Sequence, residues 1–218
     1  ISVRLVGSEM CIRDSPYAMR ARMALKLCGI RCEIREVRLN NKPEQMIKKS
    51  PKGTVPVLVL KNKVIEESNE IINWALSKNN VFGGNINQHQ INLTEDLIEL
   101  FDSKFKYNLD RYKYASRYES IDDEKHKMEC FKILINLERL ISDKKWILGN
   151  EINKLDISIL PFIRQYRIAD VDWFDAQDKL KRLKNILLNF LDSELFNDVM
   201  YKYDVWEENV KPVFFPTN

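Results

Sequence analysis

The chain has 218 residues, of which 44% are hydrophobic and 31% charged, so it carries enough apolar material for a core and is not a disordered chain. Thirty-five basic and 32 acidic side chains leave a net charge of +3, which gives no electrostatic case for nucleic acid as a partner. Without a run of about 18 uncharged apolar residues, no membrane span is expected.

Residues 1–15 stand apart. Their apolar run is broken by Arg4, and Glu9, Arg13 and Asp14 fall where a leader would be cleaved, so a signal peptide is a poor fit. Leu5 to Ser15 resembles instead a translated transposase-tagmentation sequencing adaptor. In that frame Met10 to Asp14 would be ATG TGT ATA AGA GAC, and Ser15 a junction codon. A cysteine codon differs from such a serine codon only in the two bases the adaptor would supply. Two readings stand: an adaptor-derived segment replacing the first strand, with cysteine the candidate natural residue at position 15, or an unusual natural start.

Pro16 to Gly29 predicts a helix, with proline at the first position and glycine as the stop. Ala18, Ala21, Leu25 and Cys28 share one face, leaving Arg20, Arg22 and Lys26 on others. Residues 30–39 alternate as a strand. The phase slips at Glu36 before Val37, which predicts a bulge or strand end there. A turn at 40–43, a short helix over 43–49 and a loop at Pro51-Lys52-Gly53 follow. Thr54 to Leu60 is a β-branched run with Pro56 near its start. Lys61-Asn62-Lys63 turns it into a return strand, Val64-Ile65, and Ser68 reads as the N-cap of a helix to Lys78. A helix ahead of the first visible strand implies a missing strand before it, at the adaptor-like segment.

Residues 79–87 break the composition and predict a domain boundary. From 88 to 218 the pattern is helical. Leu93, Leu97, Leu100, Phe101 and Phe105 stripe one long helix, residues 128–140 a second, and Ile157 to Ile163 a third behind a capping box at Asn153 to Asp156. Leu180 to Phe190 marks a fourth.

Four cysteines, at 11, 28, 32 and 130, fit neither a disulfide framework nor a zinc pattern, and two histidines are too few for a metal site. A reducing, cytoplasmic setting follows. Three features could carry chemistry. Ser15 precedes a helix N-terminus, where unpaired N–H groups favour an anion. Thr54-Val55-Pro56 is a segment where a cis proline would expose backbone to a peptide ligand. Glu67-Ser68, at a helix start, suits an α-amino-acid head group, the carboxylate on the cap and the ammonium on Glu67. Taken alone, Ser15 is equally read as a plain N-cap, while Val55-Pro56 reads first as an ordinary structural dipeptide and Ser68 first as a plain capping serine.

The combination is more specific. Pro16-Tyr17-Ala18-Met19-Arg20-Ala21-Arg22-Met23-Ala24-Leu25, then Asn41-Lys42-Pro43-Glu44, Ser50 to Leu58, and Glu66-Glu67-Ser68 resemble the cytosolic glutathione S-transferase family, its omega-like class in particular. Asn153 to Gln165 resembles the family's helical domain. The resemblance implies an α+β architecture: a thioredoxin-like N-terminal domain (βαβαββα) over 16–78, a linker at 79–87, and an all-α domain over 88–218. It implies glutathione as co-substrate and no metal. Glu67 and Ser68 match the residues holding the γ-glutamyl end, Val55 before Pro56 the residue pairing with the cysteinyl backbone, and Lys42 a basic residue at the glycine end. Ser15 matches the catalytic position, where omega-like members carry cysteine, so the departure bears on catalysis rather than binding. Tyr17, Tyr107, Tyr112 and Trp173 are candidates for a second-substrate pocket between the domains, although Tyr107 equally reads as a solvated helix face. The implied activity is thiol transfer or reduction, or conjugation to an electrophile, in a cytoplasmic homodimer. The alternative is a non-catalytic binding or regulatory protein with the same fold.

Overall fold

A computed structural model describes residues 4–8, 15–38, 40–82 and 87–216. The chain divides into two compact units. One contains residues 1–82 and 193–218, the other 83–192.

The first unit is built on a five-stranded sheet: β1 (Arg4–Ser8), β2 (Cys32–Val37), β3 (Val57–Val59), β4 (Val64–Ile65) and β5 (Val213–Phe215), in the order β4-β3-β1-β2-β5. β1 runs parallel to β2, with Leu5 opposite Ile34, and antiparallel to β3, with Leu5 opposite Leu58. The position expected to lack its strand is therefore filled by Arg4–Ser8, and Leu5 is buried there. Any extended segment can complete that ladder, because the hydrogen bonds are made by backbone alone.

Three helices belong to this part of the chain: α1 (Pro16–Leu27), α2 (Glu44–Lys49) and α3 (Ser68–Lys78). Ser15 caps α1, its hydroxyl accepting from the Ala18 N–H at 3.4 Å, with Pro16 at the first turn and Gly29 at φ +66° beyond the end. α1 packs against α3 and against α10 (Glu194–Val199), so it is buried nearly all round. Arg20 and Arg22 therefore do not lie on outward faces: they are 2% and 1% exposed. The Arg22 guanidinium meets the Glu36 carboxylate, donates to the Val199 carbonyl at 3.1 Å, and lies 5.7 Å from the Tyr203 ring centre. This pair explains the phase slip. β2 does not bulge at Glu36. Cys32, Ile34 and Glu36 alternate on one face, and Glu36 is an inward charge met by an inward arginine.

The end of the chain departs from the all-helical expectation for 88–218. β5 extends the sheet antiparallel to β2, with Cys32 opposite Phe215. Trp206 N–H donates to the Glu36 carbonyl at 2.8 Å, and Lys26 pairs with Asp198. An open β2 edge supplied the pairing that no helical periodicity could announce.

The second unit contains α4 (Gln88–Leu100), α5 (Lys106–Lys113), α6 (Asp123–Leu140), α7 (Lys154–Ala169), α8 (Val171–Asp175) and α9 (Lys181–Leu191). The expected long helix is α4 and α5 joined by a π-helical turn, Phe101–Phe105, whose two phenylalanine rings stack 4.4 Å apart. Phe101 and Phe105 meet Phe162 and Tyr166 of α7 edge-on. The capping box at the start of α7 forms as expected: Asn153 accepts from the Leu155 N–H, and buried Asp156 accepts from the Asn153 and Ile147 N–H groups, each at 2.9 Å. No helix among the described residues is long and apolar enough to cross a membrane.

Candidate functional site

α1 and α3 lie side by side, and the ends that matter are their beginnings. Arg20, one turn into α1, donates through Nε to Ser68 Oγ at 2.9 Å. Ser68 is the first residue of α3 and buried, and Glu67 occupies the cap position. The expected Ser68 cap is thus displaced by one residue: no side chain caps α3, and Ser68 Oγ is turned to Arg20 instead. The first-turn N–H groups of α3 keep their anion-binding character, and the Ser68 hydroxyl proton is free to point to an acceptor because its oxygen already receives a donor.

Glu67 is exposed and accepts from Lys52 Nζ at 3.0 Å, and the bond with Glu67 holds the Lys52 ammonium above its ordinary pKa. An exposed pair of this kind is worth little, so a ligand ammonium displaces it cheaply. Ser50 Oγ donates to Glu66 at 2.5 Å, tying the 50–53 turn to the start of α3. Lys42 lies along the same turn. A Cβ on Gly53 would come within 3.2 Å of Lys42 Nζ, the flexible end of an exposed side chain, and it is the backbone at φ +61° that favours glycine there. The Val55–Pro56 peptide is cis, with Pro56 buried and Val55 half-buried.

The structure thus brings Ser68 to α1 through Arg20, pairs the adjacent Glu67 with Lys52, and places Lys42 beside the turn that leads into Val55 and Pro56. Arg20 and Lys52 were not singled out from the sequence. An arginine three residues after an aromatic, on a helix read as one-sided, gives no sign of burial until a second helix covers it.

The three described cysteines are free and buried. Burial pushes the Cys32 thiol up to about 12 and raises Cys28 and Cys130 as well, so none is a thiolate nucleophile. Cys11 lies outside the described residues.

The second-substrate candidates have different surroundings. Tyr17, in the first unit, is half-buried with the Arg20 guanidinium 5.0 Å from its ring centre. In the second unit, Tyr112 and Trp173 flank Tyr166 at 5.6 and 6.1 Å, and Lys127 Nζ sits 4.1 Å from the Trp173 ring and 5.7 Å from Tyr112. Burial pushes the Tyr112 phenol up to about 12, so it is a hydrogen-bond donor at neutral pH. Tyr107 is 52% exposed and lies apart from this cluster, its ring 3.4 Å from the Arg111 guanidinium.

Residues 11–81 match the family model described as glutathione S-transferase, N-terminal domain. That segment of the chain is similar to the N-terminal domain of the glutathione S-transferases. Over 215 residues the chain is 28% identical to glutathione S-transferase omega-1 of Rattus norvegicus, covering 92% of this chain and 86% of that protein. The Tau class glutathione S-transferase of mango, Mangifera indica, superimposes with a TM-score of 0.77 at 23% identity, over 92% of this chain and 93% of that one. A glutathione transferase family member from Pseudomonas fluorescens, solved with two glutathione bound, gives 0.76 at 17% identity, over 91% and 92%. The glutathione S-transferase fold therefore extends over both units of the chain, well beyond the matched N-terminal segment.

Proposed function

We propose that this chain is a glutathione-dependent transferase that binds the tripeptide across Lys42, Val55, Pro56, Glu67 and Ser68, with Ser15 at the sulfur. The observation that carries the reading is the Arg20–Ser68 hydrogen bond, which joins the helix capped by Ser15 to the helix begun by Glu67 and Ser68. In this reading Glu67 accepts from the γ-glutamyl ammonium. The Ser68 hydroxyl and the first-turn N–H groups of α3 receive the α-carboxylate. Val55 offers backbone to the cysteinyl residue, and Lys42 meets the glycyl carboxylate.

With serine at position 15 the hydroxyl donates to the glutathione thiolate and stabilises it, which is conjugation chemistry. A cysteine there would form a mixed disulfide with glutathione, which a second glutathione resolves. The omega-like resemblance favours the second chemistry, and the residue present favours the first. The reading includes a cytoplasmic homodimer, and second-substrate contacts from Tyr112 and Trp173 beside Lys127, with Tyr17 and Tyr107 as further candidates.

Isothermal titration with glutathione tests the proposal. Ser68→Ala and Glu67→Ala are each expected to weaken binding about tenfold, about 1.4 kcal/mol. Absence of binding to the unmodified chain at millimolar glutathione would favour the alternative, a non-catalytic protein using this fold as a binding scaffold. Conjugation of a chlorodinitrobenzene electrophile, measured beside hydroxyethyl-disulfide reduction, separates the two chemistries.

A further inference from the structure

The turn that precedes β3 carries a cation to which the glutathione site described above assigns no role. Ser50 is buried, its hydroxyl donates to Glu66, and its carbonyl accepts from the Gly53 N–H at 2.9 Å. These bonds fix the backbone on either side of Lys52 against the start of α3 and leave the Lys52 side chain in solvent. Its ammonium meets Glu67 Oε1 at 3.0 Å, and that carboxylate is exposed as well.

The charge around this pair is one-sided. The bond to Glu67 and the charges of Glu67, Glu66 and Glu70 hold the Lys52 ammonium above its ordinary pKa, so three carboxylates act on one ammonium. A ligand α-carboxylate arriving at Ser68 enters this negative field and is repelled by it. Arg20 supplies positive charge from the buried side of Ser68, and Lys52 supplies it from the exposed side. An α-amino-acid head group is the complement of the Lys52–Glu67 pair. Ordinary bond lengths place its ammonium nitrogen and nearer carboxylate oxygen about 3 Å apart. That is close to the 3.0 Å between Lys52 Nζ and Glu67 Oε1. Laid antiparallel to the pair, the head group gives its ammonium to Glu67 and one carboxylate oxygen to Lys52, while the other oxygen keeps to Ser68 and the α3 N–H groups. One exposed ion pair, weak by itself, is thereby exchanged for two. A head group with an ammonium and no carboxylate breaks the same pair and leaves Lys52 without a partner.

We propose that Lys52 is a further binding residue for the γ-glutamyl end: on binding it leaves Glu67 and takes the ligand's α-carboxylate, so that the site selects a zwitterionic head group over one carrying an ammonium alone. Lys52 has this role where Glu67 and Ser68 hold glutathione as proposed above, so the exchange rests on that reading and adds to it a residue and a selectivity.

The test is isothermal titration of the full chain with two ligands, glutathione and γ-aminobutyryl-cysteinyl-glycine, which is glutathione without its α-carboxylate. The parent is expected to bind glutathione at least about fivefold more tightly than the analogue. Lys52→Met, at an exposed turn position, is expected to raise the glutathione Kd about three- to fivefold. The same variant is expected to lower the Kd of the analogue about twofold, because toward that ligand the lysine is a competitor for Glu67. A merely structural role for Lys52 would move both ligands together. Lys52→Arg keeps the charge and is expected to hold the glutathione Kd within about twofold of the parent. Both effects of Lys52→Met should shrink toward parity in about 1 M sodium chloride, where the screening length is about 3 Å. The exchange is overturned if the parent binds glutathione and Lys52→Met leaves that Kd unchanged, if the variant moves both ligands in the same direction, or if the parent binds the analogue as tightly as glutathione. A parent that binds neither ligand at millimolar concentration overturns the glutathione reading itself.

Discussion

Asp156 is the side chain on which the start of α7 depends. It is fully buried and accepts from two backbone N–H groups, Asn153 in its own cap and Ile147 in the preceding loop. Asp156→Ala removes both acceptors at once and leaves two donors in a site that water does not reach. An orphaned buried donor costs about 1–3 kcal/mol, so the expected loss is about 2–6 kcal/mol. At about 2–4 °C per kcal/mol for a chain of this size, the midpoint falls by roughly 4–24 °C. The pH dependence of Asp156→Asn is a sharper test. Burial is the dominant influence on the carboxyl and raises its pKa to about 7, against the opposing pull of the two N–H groups. A raised folded-state pKa means stability that is fully present below the unfolded pKa of about 3.9 and lost as pH rises through about 7. Asparagine has no such titration, so its penalty relative to the parent should shrink by about 1–3 kcal/mol between pH 5 and pH 8. Thermal unfolding followed by far-UV circular dichroism at the two pH values reads both effects. A loss under about 1 kcal/mol for Asp156→Ala would refute the capping account, and a penalty that stays the same between pH 5 and pH 8 would show that the native carboxylate is ionised throughout.

Ser15→Cys is expected to raise glutathione-dependent hydroxyethyl-disulfide reduction at least about tenfold, about 1.4 kcal/mol in the transition state; an unchanged rate counts against a cysteine-type site here. Arg20→Met leaves Ser68 Oγ without its donor and should weaken glutathione binding by titration calorimetry about fivefold, with little change in melting temperature if the effect is positional. Glu36→Ala strands the Arg22 charge in the interior and should cost about 3–5 kcal/mol in urea unfolding, whereas the double variant Arg22→Met, Glu36→Leu should recover most of it. If the single and double variants unfold alike, Arg22 is not held by that pair.

Local chemistry explains why so much of the candidate site was legible in one dimension. Pro16 at a helix start, the Gly53 turn, Pro56 at the head of β3, and the Asn153 to Asp156 box each carry their conformation in residues a few positions apart. The α1 helix and the β3–β4 hairpin follow from the same short-range rules. Contacts made across the chain were not legible in this way. The burial of Arg20 and Arg22 needs α3 and α10 to cover α1. The role of Glu36 needs an arginine 14 residues earlier in the chain to face it.

The amino-acid order by itself determined the start of α1, the capping box of α7, the two-part composition and the residue types for anion and thiol chemistry, because caps, turns and periodicity are short-range. Only the tertiary structure decided that Arg4–Ser8 completes the sheet, that Val213–Phe215 extends it, and that Arg20 reaches Ser68. Backbone ladders accept almost any extended segment, and inward charges need distant partners. Neither leaves a periodic mark in the sequence.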